Sequence, residues 1–158
     1  MKEKLKQFIK ENYVKEKELL FGAMRKAALF ECYDECIDID DYINNNKNES
    51  KFQTLLFKYI DERHLKDSDV YNKVHIDRRL FSKIRSDASY HPSKETIILL
   101  GLSLELSEEE MINLLESASY SLPKNNYFDL IIRFCFINKI YKITDVNELL
   151  DDYNCKCL

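Results

Sequence analysis

Two glycines and two prolines in 158 residues leave this chain almost without the residues that usually interrupt regular structure. Few interruptions imply long helices, and the apolar spacing agrees with helix. From Lys51 to Leu65, Phe52, Leu55, Leu56, Tyr59 and Ile60 fall at i, i+3, i+4, i+7 and i+8, the stripe of a helix facing a core. A short helix is expected next, with Asp67 or Ser68 as N-cap and an end near Lys73. A third follows Asp77 and buries Leu80, Phe81 and Ile84. Pro92 and Ser93 precede a strongly apolar fourth helix, TIILLGLSLEL. Ser107-Glu108-Glu109-Glu110 reads as a capping box, with carboxylates at the positive end of the helix dipole. That fifth helix is expected to bury Met111, Leu114, Leu115 and Ala118.

Two more helices complete the C-terminal part. YFDLIIRFCFINKIY is apolar on almost every side, which suits a helix buried between others or lying at a subunit contact. Thr144 is expected to cap a last helix that turns Val146, Leu149, Leu150 and Tyr153 inward. The first 40 residues also read as helices, through Leu5, Phe8 and Ile9 and then LLFGAMRKAALFECYDECI. The polar, Asn-rich run DIDDYINNNKNES, at 38–50, is the best linker. The expectation is an all-α protein: an N-terminal helical segment at 1–45, a five-helix core at 51–120 and C-terminal helices at 121–158 packed on it.

Apolar residues at 45% and charged residues at 33% describe a globular chain rather than a disordered one. There is no run of about 18 uncharged apolar residues to span a membrane. The opening MKEKLKQFIKEN lacks the apolar centre of a signal peptide, so the cytoplasm is expected. An odd number of cysteines without an export signal argues against a disulfide framework. Cys32 and Cys36, with Cys155 and Cys157, could in principle hold zinc, but their spacing lacks the usual knuckle. Cys32, Cys36 and Cys135 are better read as small buried apolar residues, with the terminal pair frayed and exposed.

Catalytic signals are weak. His64, His75 and His91 have no partner at ligand spacing, and Gly22 and Gly101 alone cannot make a phosphate-cradling loop. Asp38, Asp40 and Asp41 form one acidic run without partners, and no nucleophile has a recognisable base. No enzyme activity, cofactor or metal is expected.

Charge is distributed unevenly. Residues 1–50 hold 9 Lys/Arg against 11 Asp/Glu, residues 51–94 hold 10 against 6, and residues 95–158 hold 5 against 11. A basic middle between acidic flanks can form a local electrostatic footprint within a chain of net charge −4. Its densest part is Arg78 to Arg85, in VYNKVHIDRRLFSKIRSD. The plainer explanation is a solvated helix face paired with nearby acids, and such exposed pairs contribute little.

Two short helices joined by a tight turn make a helix-turn-helix unit. The run LKDSDVYNKVHIDRRLFSKIR, then PSKET, resembles the lambda-repressor/Cro-like (XRE-type) class. The frame Leu65, Val70, Ile76, Phe81 and Ile84 matches, as do the cap Asp77 and the pattern Pro92-Ser93 with Thr96. The small residue where the two helices cross is Tyr71 here, and the turn glycine is His75, a residue that tolerates a left-handed backbone. The stretch IDRRLFSKIRS, through ESASYSL to KNNYFDLIIRFCF, is also similar to a bacterial helical domain found alone or behind a macro domain.

The resemblance implies a helix-turn-helix core at about 51–120 and a small transcriptional regulator that binds double-stranded DNA. Arg78 and Arg79 would read base edges, with Ser82 and Lys83 on the next turn. Arg85, Lys73 and Lys94 would contact phosphates. A homodimer is expected because one helix reads few base pairs, and the apolar helix at 126–138 or the N-terminal helices would form its contact. Tyr13, Phe21, Phe30 and Tyr33, or Phe134 and Phe136, are the aromatic candidates for that surface. The alternative is a protein-interaction adaptor using the same helix pair, favoured by Asp67, Asp69, Tyr71 and the acidic total.

Overall fold

The computed structural model describes residues 1–13, 51–87 and 89–158, and of Lys51 the backbone alone. The expectations for Cys32, Cys36, Phe21, Phe30, Tyr33 and the linker at 38–50 lie outside the described residues. Those residues form eight helices and no strand, so the fold is all-α as the periodicity implies. The helices are α1 (Lys2–Asn12), α2 (Lys51–Glu62), α3 (Asp67–Lys73), α4 (Arg78–Ser86), α5 (Lys94–Ser103), α6 (Glu108–Ser117), α7 (Tyr127–Ile137) and α8 (Ile143–Asp151).

These helices are short, between 7 and 12 residues, where scarce glycine and proline implied long ones. The stops come from other residues. His64, His75, Glu105, Ser119, Lys139 and Asn154 all have φ between 52° and 58°, in the left-handed region. Each ends a helix, and the next residue donates its N–H back five positions: Leu65 to Ile60, Ile76 to Tyr71, Leu106 to Gly101, Tyr120 to Leu115, Ile140 to Cys135 and Cys155 to Leu150. This is the Schellman closure. The donating residue is apolar or aromatic each time. Ile76, Leu106, Tyr120, Ile140 and Cys155 lie on or in the core, so burial of their side chains fixes those turns, whereas Leu65 is exposed and its turn rests on the backbone bond. A non-glycine residue in this conformation costs on the order of 1 kcal/mol.

Helix starts follow the sequence more closely. Asp77 accepts from the Arg79 N–H at 2.6 Å, Ser93 from the Thr96 N–H at 3.3 Å, and Ser107 from the Glu110 N–H at 3.2 Å. Glu110 returns the last bond by accepting from the Ser107 N–H at 2.8 Å, completing the capping box. Two starts differ. Lys66 occupies the cap position of α3, so Asp67 is its first helical residue. Lys142 occupies that of α8, and the Thr144 hydroxyl lies against the Asp145 carboxylate instead.

The core runs through every described helix. α5 buries Ile97, Ile98, Leu100 and Leu102, and packs on α3 and α6. Gly101 permits the closeness to α6, because a Cβ there would stand 2.2 Å from Met111 Sδ. α7 buries Leu130, Ile131, Ile132, Phe134, Cys135 and Phe136 between α1, α6 and α8. α1 contributes Leu5 and Ile9, with Phe8 packing at 5.5 Å on Phe134, and belongs to the same compact unit as the helices from α2 onward.

This packing corrects two expectations. The apolar surface of the 126–138 helix, Phe134 and Phe136 included, is already used inside the chain, which leaves Tyr127 and Ile137 exposed for any contact between copies. The chain end is less frayed than expected: Cys157 is exposed, but Cys155 is half-buried against the core and the Leu158 N–H donates to Asn147 at 2.9 Å. Burial pushes the Cys135 thiol up to about 12, so it packs as a small apolar side chain.

Arg63, at the end of α2, places both oxygens of Glu110 at 2.8 Å and ties α2 to the start of α6. Partial burial pushes the Glu110 carboxyl up, but bonds from Arg63 and Ser107 outweigh it and hold the group below its ordinary value. Stability from a lowered carboxyl is fully present above that ordinary value and is lost as pH falls through the lowered one. Glu110→Gln should therefore cost about 1 kcal/mol at neutral pH in chemical denaturation, with the gap closing in acid. Lys139→Gly should raise stability by about 0.5–1 kcal/mol, because glycine removes the left-handed strain faster than it adds unfolded-state freedom.

Candidate functional site

The basic cluster stands on α4, and its surroundings decide which of its cations are free. α3 is anchored through Val70, fully buried, whose carbonyl accepts from the Ser103 hydroxyl of α5 at 2.6 Å. The left-handed His75 then reverses the chain, Val74 and Ile76 plug the core, and Asp77 opens α4. Phe81 and Ile84 are buried and Leu80 is half-buried, so the opposite face, with Arg78, Arg79, Ser82 and Ser86, points to solvent.

The seven residues expected to contact DNA separate into two groups. Arg78 and Arg79 are exposed and make no ion pair among the described residues, and Ser82 lies one turn along on the same face. Lys83, also exposed, sits 4.4 Å over the Tyr90 ring centroid, a cation–π contact at the flank of the cluster. Arg85 is held more firmly, by Asp67 at 2.5 Å and the Phe57 ring at 4.2 Å.

Lys73 and Lys94 are placed elsewhere. Lys73 reaches Glu105 at 2.6 Å and the Ser103 carbonyl at 3.1 Å, which fixes the end of α3 to the α5–α6 turn. Lys94 pairs at 2.5 Å with Asp129, whose side chain is only 3% exposed and also accepts from Asn126 at 2.6 Å. That pair joins the start of α5 to the start of α7 and is a structural contact.

Helix electrostatics single out the free pair. Arg78 and Arg79 occupy the first turn of α4, the positive end of the helix dipole, where a cation is disfavoured by about 0.3–1 kcal/mol. The Asp77 carboxylate beside them is engaged as the cap. Folding does not explain two arginines at that position.

Sequence reasoning missed two neighbours, Lys66 and Tyr90, and singled out the third, Tyr71, as the residue where the two helices cross. Lys66 is exposed and lines, with Arg78, an open groove between α3 and α4. Tyr71 packs 5.6 Å from Phe81 on the floor of that groove, and Tyr90 supports Lys83. Lys66 had a signal in its place before Asp67; Tyr90 had none.

Among the described residues, no three His, Cys, Asp or Glu side chains are grouped to hold a metal ion, and no helix is long and apolar enough to cross a membrane. Lys94→Met should lower stability by about 3 kcal/mol in chemical denaturation, because Asp129 would remain buried without its cation. No protein-family model, curated protein or solved structure matches the chain.

Proposed function

We propose that this chain binds duplex DNA through the exposed face of α4, as a non-enzymatic helix-turn-helix protein. The observation that carries the reading is the pair Arg78 and Arg79, exposed, without an acidic partner among the described residues, and set at the helix end that disfavours them. A cation kept at an electrostatic cost inside a chain with excess acid has its balancing charge outside the fold. Phosphate and the guanine edge are the acceptors that suit arginine best.

Ser82 and Lys83 extend the same surface by one turn. Arg85 serves less directly, since it must leave Asp67 to reach a phosphate; Lys73 and Lys94 have structural duties instead. Transcriptional regulation is the finer form of the proposal. It requires two copies on paired half-sites, because one 9-residue helix spans few base pairs. The contact between copies would lie away from the apolar faces of α1 and α7.

Fluorescence anisotropy with labelled random duplex at several salt concentrations tests the reading. With Arg78, Arg79 and Lys83 as the phosphate-reaching cations, log affinity should fall linearly against log salt with a slope of about −2 to −3. The double variant Arg78→Ala, Arg79→Ala should lose most of that slope while keeping its helical circular dichroism. Absence of binding at low salt ends the proposal.

A further inference from the structure

Beside the exposed face of α4 lies the open groove that it shares with α3. Leu65, 36% exposed, Tyr71 and Phe81 line its floor. The Tyr71 hydroxyl has no hydrogen-bond partner among the described residues, although the ring is half-buried on Phe81. Arg78, Arg85 and Lys66 stand on the rims against one carboxylate, Asp67, which Arg85 already neutralises at 2.5 Å. The groove is therefore apolar below, cationic at its edges and open to a hydrogen-bond acceptor at Tyr71.

Duplex DNA is a poor occupant. Its phosphates would satisfy the rims but present nothing apolar to the floor, and a double helix is too broad to descend between two adjacent helices. A peptide matches both features, with carboxylates for Arg78 and Lys66 and an aromatic or aliphatic side chain for the floor. We infer that the α3–α4 groove docks an acidic peptide segment of a partner protein, anchored by an apolar side chain beside Tyr71.

Arg78 belongs both to this groove and to the face proposed for DNA, so docking would withdraw it from the duplex. The peptide would thus act as an antagonist of nucleic-acid binding, a consequence that rests on the DNA reading, whereas the docking itself does not.

The probe is a fluorescein-labelled short peptide repeating Asp-Phe-Glu-Leu, with a control carrying lysine at every acidic position. The acidic peptide should bind, the control should not, and unlabelled acidic peptide should displace labelled duplex. Tyr71→Phe, which keeps the ring and removes the hydroxyl, should weaken the peptide about fivefold and leave duplex affinity unchanged. Arg79→Ala should do the reverse.

No binding of the acidic peptide overturns the inference, as does equal binding by wild type, Tyr71→Phe and a folded Tyr71→Ser variant. Peptide binding with this dependence but no duplex binding would leave the groove standing and remove the DNA reading. Simultaneous binding of both without displacement would remove the antagonism.

Discussion

Every helix that ends in a left-handed residue depends on one hydrogen bond, the N–H that reaches back five positions to a carbonyl in the last turn. The bond alone does not hold an L-residue at positive φ, because a β-carbon there crowds the following carbonyl. What holds it at five of the six turns is the side chain of the next residue, Ile76, Leu106, Tyr120, Ile140 or Cys155, packed on or in the core; Leu65, at the sixth, stays exposed. Burial of that side chain and closure of the helix are one event. These turns end α2, α3, α5, α6, α7 and α8, whereas α4 ends on extended backbone at Asp87.

Ion pairs supply a second layer of specification. Arg63 with Glu110, Arg85 with Asp67, Lys73 with Glu105 and Lys94 with Asp129 each join separate helices or the turns that end them. They also sort the cations of the basic middle segment by use. Those reaching an acid on a neighbouring element position the helices, and exposed cations without such a pair among the described residues, Lys66, Arg78, Arg79 and Lys83, remain available to an outside partner. The candidate interface is what remains after the fold has used its share of charge.

That division explains what could be read from the sequence. The apolar stripe of α2 and the caps Asp77, Ser93 and Ser107 rest on residues within one turn of each other, so local spacing specified them. The left-handed backbone expected at His75 is also present, with φ 55°. The pairings of Arg85, Lys73 and Lys94 join residues 18, 32 and 35 positions apart, which no local pattern encodes. Helix length was misjudged because a Schellman stop without glycine has no compositional mark. Its signal is the apolar residue just beyond the last turn, and that resembles any other member of a stripe. The 126–138 helix had two possible surroundings on sequence grounds, and burial between α1, α6 and α8 selects the first.

The six left-handed turns bear on the denatured chain as well. Glycine at those positions would widen the conformational ensemble that folding must collapse, since it visits both halves of the φ map. Histidine, glutamate, serine, lysine and asparagine keep that ensemble narrower. Part of the native strain is thus matched by entropy the unfolded polypeptide never had. Substitutions at these joints are consequently read as differences between two states, and a turn that looks strained in the fold need not be a weak point in the folding equilibrium.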